Sequence, residues 1–283
     1  MSSNMIRRIL VAAVAIPATL GAIRMGGWLL AVLVGGLGAV GALELYRMAR
    51  QAGVWPLNGL GIGAAVALPI VAYWVIMGGS GSTEVLLFGG PLFVILTALA
   101  SMARGPMSKP MSSVAITLLG VVYPSGLLTF VIILRHGFDA STAWAATWLA
   151  LLPMILIWVG DSVAMSMGGI LGGPKLWPVL SPKKTWSGAV SGTLSALIIA
   201  PVLGVFVLQR FSIRLEAWQW VVFALAVSIM GQLGDLAESL FKREAGVKDS
   251  GRFFSGHGGV LDRLDALYWS LPVAALLYRA FGL

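Results

Sequence analysis

The chain has 283 residues, 58% hydrophobic and only 11% charged, with a mean hydropathy of +0.92. That balance excludes an ordinary soluble domain and points to an integral membrane protein. The absence of cysteine excludes disulfides, thiolate metal sites and cysteine nucleophiles, and the net charge of +8 comes without the soluble basic face of a nucleic-acid binder. It fits basic loops beside anionic lipid headgroups and a polyanionic substrate.

Residues 1–8 form a short basic tail before a first apolar run, Ile9–Ile23. Arg7-Arg8 ahead of an Ala-rich segment also resembles a signal peptide, but further runs follow at once and a first span is the preferred reading. Eight more runs follow: Trp28–Leu45, Gly59–Met77, Val85–Met102, Ser113–Leu134, Ala143–Val159, Gly188–Leu208, Trp218–Gly234 and Leu264–Phe281. Each is near the roughly 20 residues a bilayer-spanning helix needs. The expected fold is an all-α integral membrane protein, a single polytopic bundle of about nine transmembrane helices with its N-terminus in the cytoplasm. With that orientation only Arg24, Arg135, Arg210, Arg214 and Arg279 of the 19 basic residues face outward, as the positive-inside rule requires. Gly35-Gly36, Gly38 and Gly41 in the second run have the spacing of a close helix contact. His136 reads as a surface loop residue on the outer side.

Residues 1–143 carry spans without a recognised motif, whereas residues 144–283 hold the chemistry. Asp161 follows Trp158-Val-Gly160 at the end of the sixth run, as a metal ligand, a lysine partner or only a helix-end acid. Gly168-Gly169, Gly172-Gly173 and two prolines then read as a flexible loop. Ser181-Pro-Lys183-Lys184-Thr185-Trp186 precedes the seventh run, with a helix expected to begin near Thr185. Lysines beside a helix N-terminus suit an anion, although Lys183-Lys184 also serve as plain membrane anchors.

Six of the 11 acidic residues lie between Gly231 and Asp265: Asp235, Glu238, Glu244, Asp249, Asp262 and Asp265. At about 100° per residue, Gln232, Asp235, Ser239 and Lys242 share one face at the end of an apolar helix. Asp262 and Asp265, after Gly258-Gly259, share a face of the next. Carboxylates suit a hard cation such as Mg²⁺, glycines admit backbone N–H groups to an anion, and Lys242, Arg243, Lys248, Arg252 and Arg263 neutralise phosphate. This is the pattern of a metal-assisted phosphate-handling site. The plain alternative is a solvated loop with local pairs such as Glu244–Lys248. It accounts poorly for Asp235, which abuts the apolar run Trp220–Met230.

Ser239-Leu-Phe-Lys242-Arg243-x4-Lys248-Asp249-x-Gly251-x2-Phe254-x2-His257-Gly258-Gly259-x2-Asp262-Arg263-x-Asp265 resembles the signature of the CDP-diacylglycerol synthases, the phosphatidate cytidylyltransferases. Ser-Pro-Lys-Lys-Thr-Trp-x-Gly from Ser181, downstream of an Asp, is similar to the same family. Ser255 departs from it, standing where Pro or Gly is usual. The resemblance covers about Trp158–Asp265. It implies CTP and phosphatidate as substrates and CDP-diacylglycerol and pyrophosphate as products, and it suggests a homodimer, while the distribution of basic residues puts the signature, and so the active site, on the cytoplasmic face of the inner membrane.

Asp235 and Asp262 are the first candidates to hold Mg²⁺, a pair the resemblance also implies, with Asp249, Asp265 and Asp161 as further ligands and room for a second cation. Lys242, Arg243, Lys248 and Arg263 are placed on the phosphates. Ser181, Lys183, Lys184, Thr185, Gly258 and Gly259 are placed on CTP or the lipid headgroup. Ser239 bonds a phosphate oxygen or merely packs, and His257 acts in the site or fixes its loop. A transporter or channel is the rival from another class, and a lipid phosphotransferase using a different nucleotide is the rival within the enzymes.

Overall fold

In lipid, backbone polar groups must be satisfied within the segment, so apolar runs separated by Gly, Pro and basic turns become helices. The computed structural model describes residues 17–251, 253 and 258–283. Residues 17–25 are helical, and there follow α1 (Gly27–Gln51), α2 (Asn58–Ile76), α3 (Ser82–Met102), α4 (Pro110–Val121), α5 (Phe130–His136), α6 (Ala143–Leu171), α7 (Trp186–Phe206), α8 (Ala217–Glu244) and α9 (Leu261–Ala280). Among the described residues seven stretches are long and apolar enough to cross a membrane, with Pro110–His136 counting as one. The protein is thus an all-α polytopic membrane protein, as its composition requires. Most of the first apolar run lies outside the described residues, and α9 covers the last.

The chain forms two compact units, one running to Ile132 and including Phe241–Arg263, the other comprising Ile133–Leu240 and Leu264–Leu283. In the first, Tyr46 of α1 is fully buried with Ala42 and Ala65 and donates to the Thr117 carbonyl of α4 at 2.7 Å. The close contact expected of the α1 glycines is present: a Cβ on Gly35 would lie 2.7 Å from the Val66 carbonyl oxygen of α2. In the second unit α6 packs along α7 just as closely. A Cβ on Gly192 would lie 2.9 Å from the Gly160 carbonyl oxygen, and one on Gly188 2.6 Å from that of Ala164.

Three local features differ from the sequence reading. The run Ser113–Leu134 is not one α-helix, because a π turn over Val122–Gly126 interrupts it around Pro124, which cannot donate to the ladder. Helix α6 continues past Val159 to Leu171, so Asp161 lies inside a helix. Nothing stops it before the glycines: Ser162 and Ser166 turn their hydroxyls back onto the Trp158 and Ser162 carbonyls at 2.8 Å, and Gly172 ends it at φ 61°. The loop expected to be flexible contains an antiparallel hairpin, β1 (Lys175–Trp177) with β2 (Ser181–Thr185), pairing Lys175 with Thr185 and Trp177 with Ser181.

Candidate active site

Helix α7 begins where the sequence places it. Thr185 is its N-cap, and its Oγ1 accepts from the Gly188 N–H at 3.2 Å. The Trp186 N–H donates to the Pro174 carbonyl at 3.0 Å, tying the hairpin to the same helix start. Thr185 therefore anchors the turn that carries Lys183 and Lys184. Thr185→Ala is expected to cost about 1 kcal/mol, seen as a lower thermal midpoint, while Thr185→Ser stays near wild type.

Lys184, half-buried on β2, meets Asp235 of α8, its Nζ lying 2.5 Å from Oδ2. A polar seam sets the register of α8 against α7: the Gln232 amide donates to the Ala189 carbonyl at 3.2 Å and to Thr193 Oγ1 at 3.0 Å. One turn on, Asp235 reaches the start of α7. Asp161, beside the Gly160 contact, is near enough to feel the charges of both Asp235 and Lys184. Asp265 of α9 is near Asp235, Glu238 and Lys184. Gly234 brings it there, since a Cβ at that position would lie 2.6 Å from the Asp265 carbonyl oxygen. The second unit thus gathers Asp161, Asp235 and Asp265 near Lys184, with the buried Glu238 beside Asp265. Three carboxyl groups near one ammonium leave negative charge for a hard cation to balance. Among the described residues no three acids or histidines converge tightly enough to hold a metal alone. A Mg²⁺ ion suits such a partial donor set, because it completes its shell with water and substrate phosphate oxygens.

The first unit assembles a different constellation. Lys242 Nζ donates to Asp262 Oδ1 at 2.7 Å, and the pair is largely buried. Asp262 Oδ2 accepts from the Ser250 N–H at 2.9 Å, the Ser250 hydroxyl at 2.9 Å and the Gly259 N–H at 2.8 Å. Burial works against this carboxylate, but the bonds from Lys242, Gly259 and Ser250 outweigh it and hold its carboxyl below the usual range. Oδ2 is fully used in fastening its own loop, and Oδ1 keeps a lone pair for a cation. Asp235 and Asp262, the pair expected to share a metal, fall one to each unit.

Gly258, at φ 87°, makes the tight turn into α9, while the Gly259 N–H is taken by Asp262. Ser239 is buried on α8. Arg243, Lys248, Asp249 and Arg263 are exposed, as is Lys183, and Ser181 is half-buried on β2. His257 and Arg252 lie outside the described residues, as does Ser255. His136 ends α5 half-buried and is not in an open loop.

Glu44, on α1, is absent from the expected set. Its side chain is 2% exposed, and it accepts hydrogen bonds from Ser250, Val260 and Leu261. The signal was present in the sequence, as the one acid inside the run Trp28–Leu45.

Comparison with known proteins places relatives beside this geometry. Residues 6–281 match the model of the cytidylyltransferase family. A phosphatidate cytidylyltransferase of Staphylococcus saprophyticus is 45% identical over 127 residues, which is 45% of this chain and 47% of that protein. Proteins of the same name from Staphylococcus haemolyticus and Staphylococcus aureus are 43% and 42% identical, with the same coverage. The matched region spans about half the length of these curated relatives.

Proposed function

The chain belongs to the cytidylyltransferase family, and from that premise we propose that it transfers the cytidylyl group of CTP to phosphatidate, giving CDP-diacylglycerol and pyrophosphate. The observation that carries this reading is the gathering of Asp161, Asp235 and Asp265 around Lys184 at the capped start of α7. It combines oxygen ligands, a cation and a helix N-terminus, the three things a triphosphate needs. The basic segments around it argue for a cytoplasmic active site at headgroup level, where a soluble nucleotide meets a membrane lipid.

A phosphatidate oxygen attacks the α-phosphorus of CTP in line, the new P–O bond forming as the bond to pyrophosphate breaks. A phosphomonoester has its second pKa at about 6, so the nucleophile is already largely ionised and needs no strong base. Lys184, held in place by Asp235, and Lys183 beside it orient and neutralise the phosphates. Thr185 keeps their turn fixed. Asp235, with Asp161 and Asp265, would hold Mg²⁺. When bound, the ion offsets the charge that develops on the phosphoryl oxygens and the leaving pyrophosphate.

The test is the purified protein in detergent with phosphatidate, Mg²⁺ and each of four nucleoside triphosphates labelled at the α-phosphate. Label is expected in lipid from CTP alone. EDTA should suppress it by roughly 100-fold or more, with excess Mg²⁺ restoring it. Preferential labelling from another nucleotide would assign a different lipid phosphotransferase, and no labelled lipid at all would sink the reading.

A further inference from the structure

Glu44 sits two-thirds of the way along α1 and is 2% exposed. Burying a carboxyl group in an apolar span is costly, so it persists only where donors compensate it. The donors here come from more than 200 residues away. Val260 N–H donates to Oε1 at 3.1 Å, and Leu261 N–H donates to Oε2 at 2.9 Å. The Ser250 hydroxyl lies 3.1 Å from Oε2. Leu261 opens α9, so the two N–H groups belong to a helix start that otherwise leaves such donors unsatisfied, and a carboxylate there is favoured by the helix dipole.

The same serine joins Glu44 to Asp262. Its single hydroxyl proton is shared between Glu44 Oε2 and Asp262 Oδ2, and Asp262 Oδ1 takes Lys242. The order Glu44–Ser250–Asp262–Lys242 thus runs without a break from the first long helix into the signature segment. The packing here is close: a Cβ on Gly251 or on Gly259 would collide with the Glu44 carboxylate. These two signature glycines therefore make space for a carboxylate of the protein itself. The support beneath Glu44 is stiff. Two residues on, Tyr46 is fully buried, its ring so close to Gly61 and Gly120 that a Cβ on either would overlap it.

We propose that Glu44 is a positioning residue for the cytidylyl transfer, its buried carboxylate clamping Ser250 and the start of α9 so that Asp262 and Lys242 are held in working orientation. This rests on the transferase reading above, and two separate readouts keep the two ideas apart. The full-length protein in detergent is compared with Glu44→Gln and Glu44→Asp, first by hydrogen exchange and then by steady-state assay with CTP and phosphatidate. Gln keeps the volume but turns a donor toward donors. In Glu44→Gln, exchange is expected to rise at least tenfold in peptides containing Val260 and Leu261, while peptides from α6 and α7 stay unchanged. The kcat should fall roughly 100-fold, the scale of an ångström-sized displacement, with KM for CTP within threefold of wild type. Glu44→Asp, which retains the carboxylate, should recover part of both.

Unchanged exchange at the start of α9 overturns the clamp. Raised exchange with kcat within threefold of wild type overturns the positioning role and leaves only a brace for the fold. An inactive wild type overturns the transferase reading, and exchange alone then decides the clamp. Should Glu44→Gln fail to fold, Gly251→Ala pushes a methyl group into the same carboxylate, whose atoms are the nearest to that position, and is read by the same two measurements, with the same outcomes on either side.

Discussion

Asp235→Asn is expected to lower kcat for CDP-diacylglycerol formation roughly 1,000-fold, the scale on which a lost preorganised electrostatic partner acts, while the protein remains folded. The substitution keeps shape and removes charge. Its cost in stability should be small, because the Lys184 and Asp235 side chains are 30% and 31% exposed, and ion pairs that open contribute about 0–1 kcal/mol. The chemical cost is different in kind, because it removes the carboxylate around which Asp161, Asp265 and Lys184 are grouped. Lys184→Met separates two accounts of the pair. If Asp235 served only to hold Lys184, both variants would lose the same activity. If Asp235 also takes a cation, Asp235→Asn should be the worse by tenfold or more, and added Mg²⁺ should not rescue it. Activity within tenfold of wild type in Asp235→Asn, at a matched thermal midpoint, would refute the cation assignment.

Much of this site was legible because ionisable residues are scarce in an apolar chain, so their clustering is itself information. Asp161, Lys184, Asp235 and Asp265 stand out in the sequence as charges at span ends, and the structure gathers them in one unit. Thr185 was placed at a helix start by the order of lysines, threonine and glycine, and its cap is there. Glu44 has no motif around it in the sequence, although the cost of a carboxyl within an apolar run applies to it with greater force than to Asp235. Its partners are more than 200 residues away, and no periodicity within α1 announces them. The hairpin Lys175–Thr185 is not legible for a local reason: Pro178 and Pro182 break any alternating pattern, so the segment reads as loop. The length of α6 is not legible because a span of about 20 residues satisfies the bilayer, and the helix runs on through Gly, Ser and Met that hydropathy leaves undecided. Asp262 shows the limit of reading roles from residue type. A carboxylate that looks like a free ligand spends one oxygen on its own loop, and only the hydrogen bonds reveal it.

Gly188→Leu is expected to lower the thermal midpoint by roughly 5 °C or more and to lower transfer roughly 100-fold at temperatures where the protein is still folded. The obstacle is backbone: a Cβ would stand 2.6 Å from the Ala164 carbonyl oxygen and 3.3 Å from the Gly168 Cα. No rotamer change relieves that, so α6 and α7 must separate, and overpacking of this sort costs about 1–3 kcal/mol, each kcal/mol being worth about 2–4 °C in a chain of this size. Gly169→Ala is the matched control on the same stretch of α6. Nothing lies within 4 Å of its Cβ, and the gain in helix propensity of up to about 1 kcal/mol should leave the midpoint level or slightly raised. The functional consequence follows from where the seam lies. Asp161 rides on α6 beside Gly160, and Lys184 enters α7 through the Thr185 cap, so widening the seam moves one against the other. A misplacement of about 1 Å between groups that must act on one phosphate is enough for a 100-fold loss. A Gly188→Leu protein with wild-type midpoint and turnover would show that the seam is loose and that its glycines do not set the site.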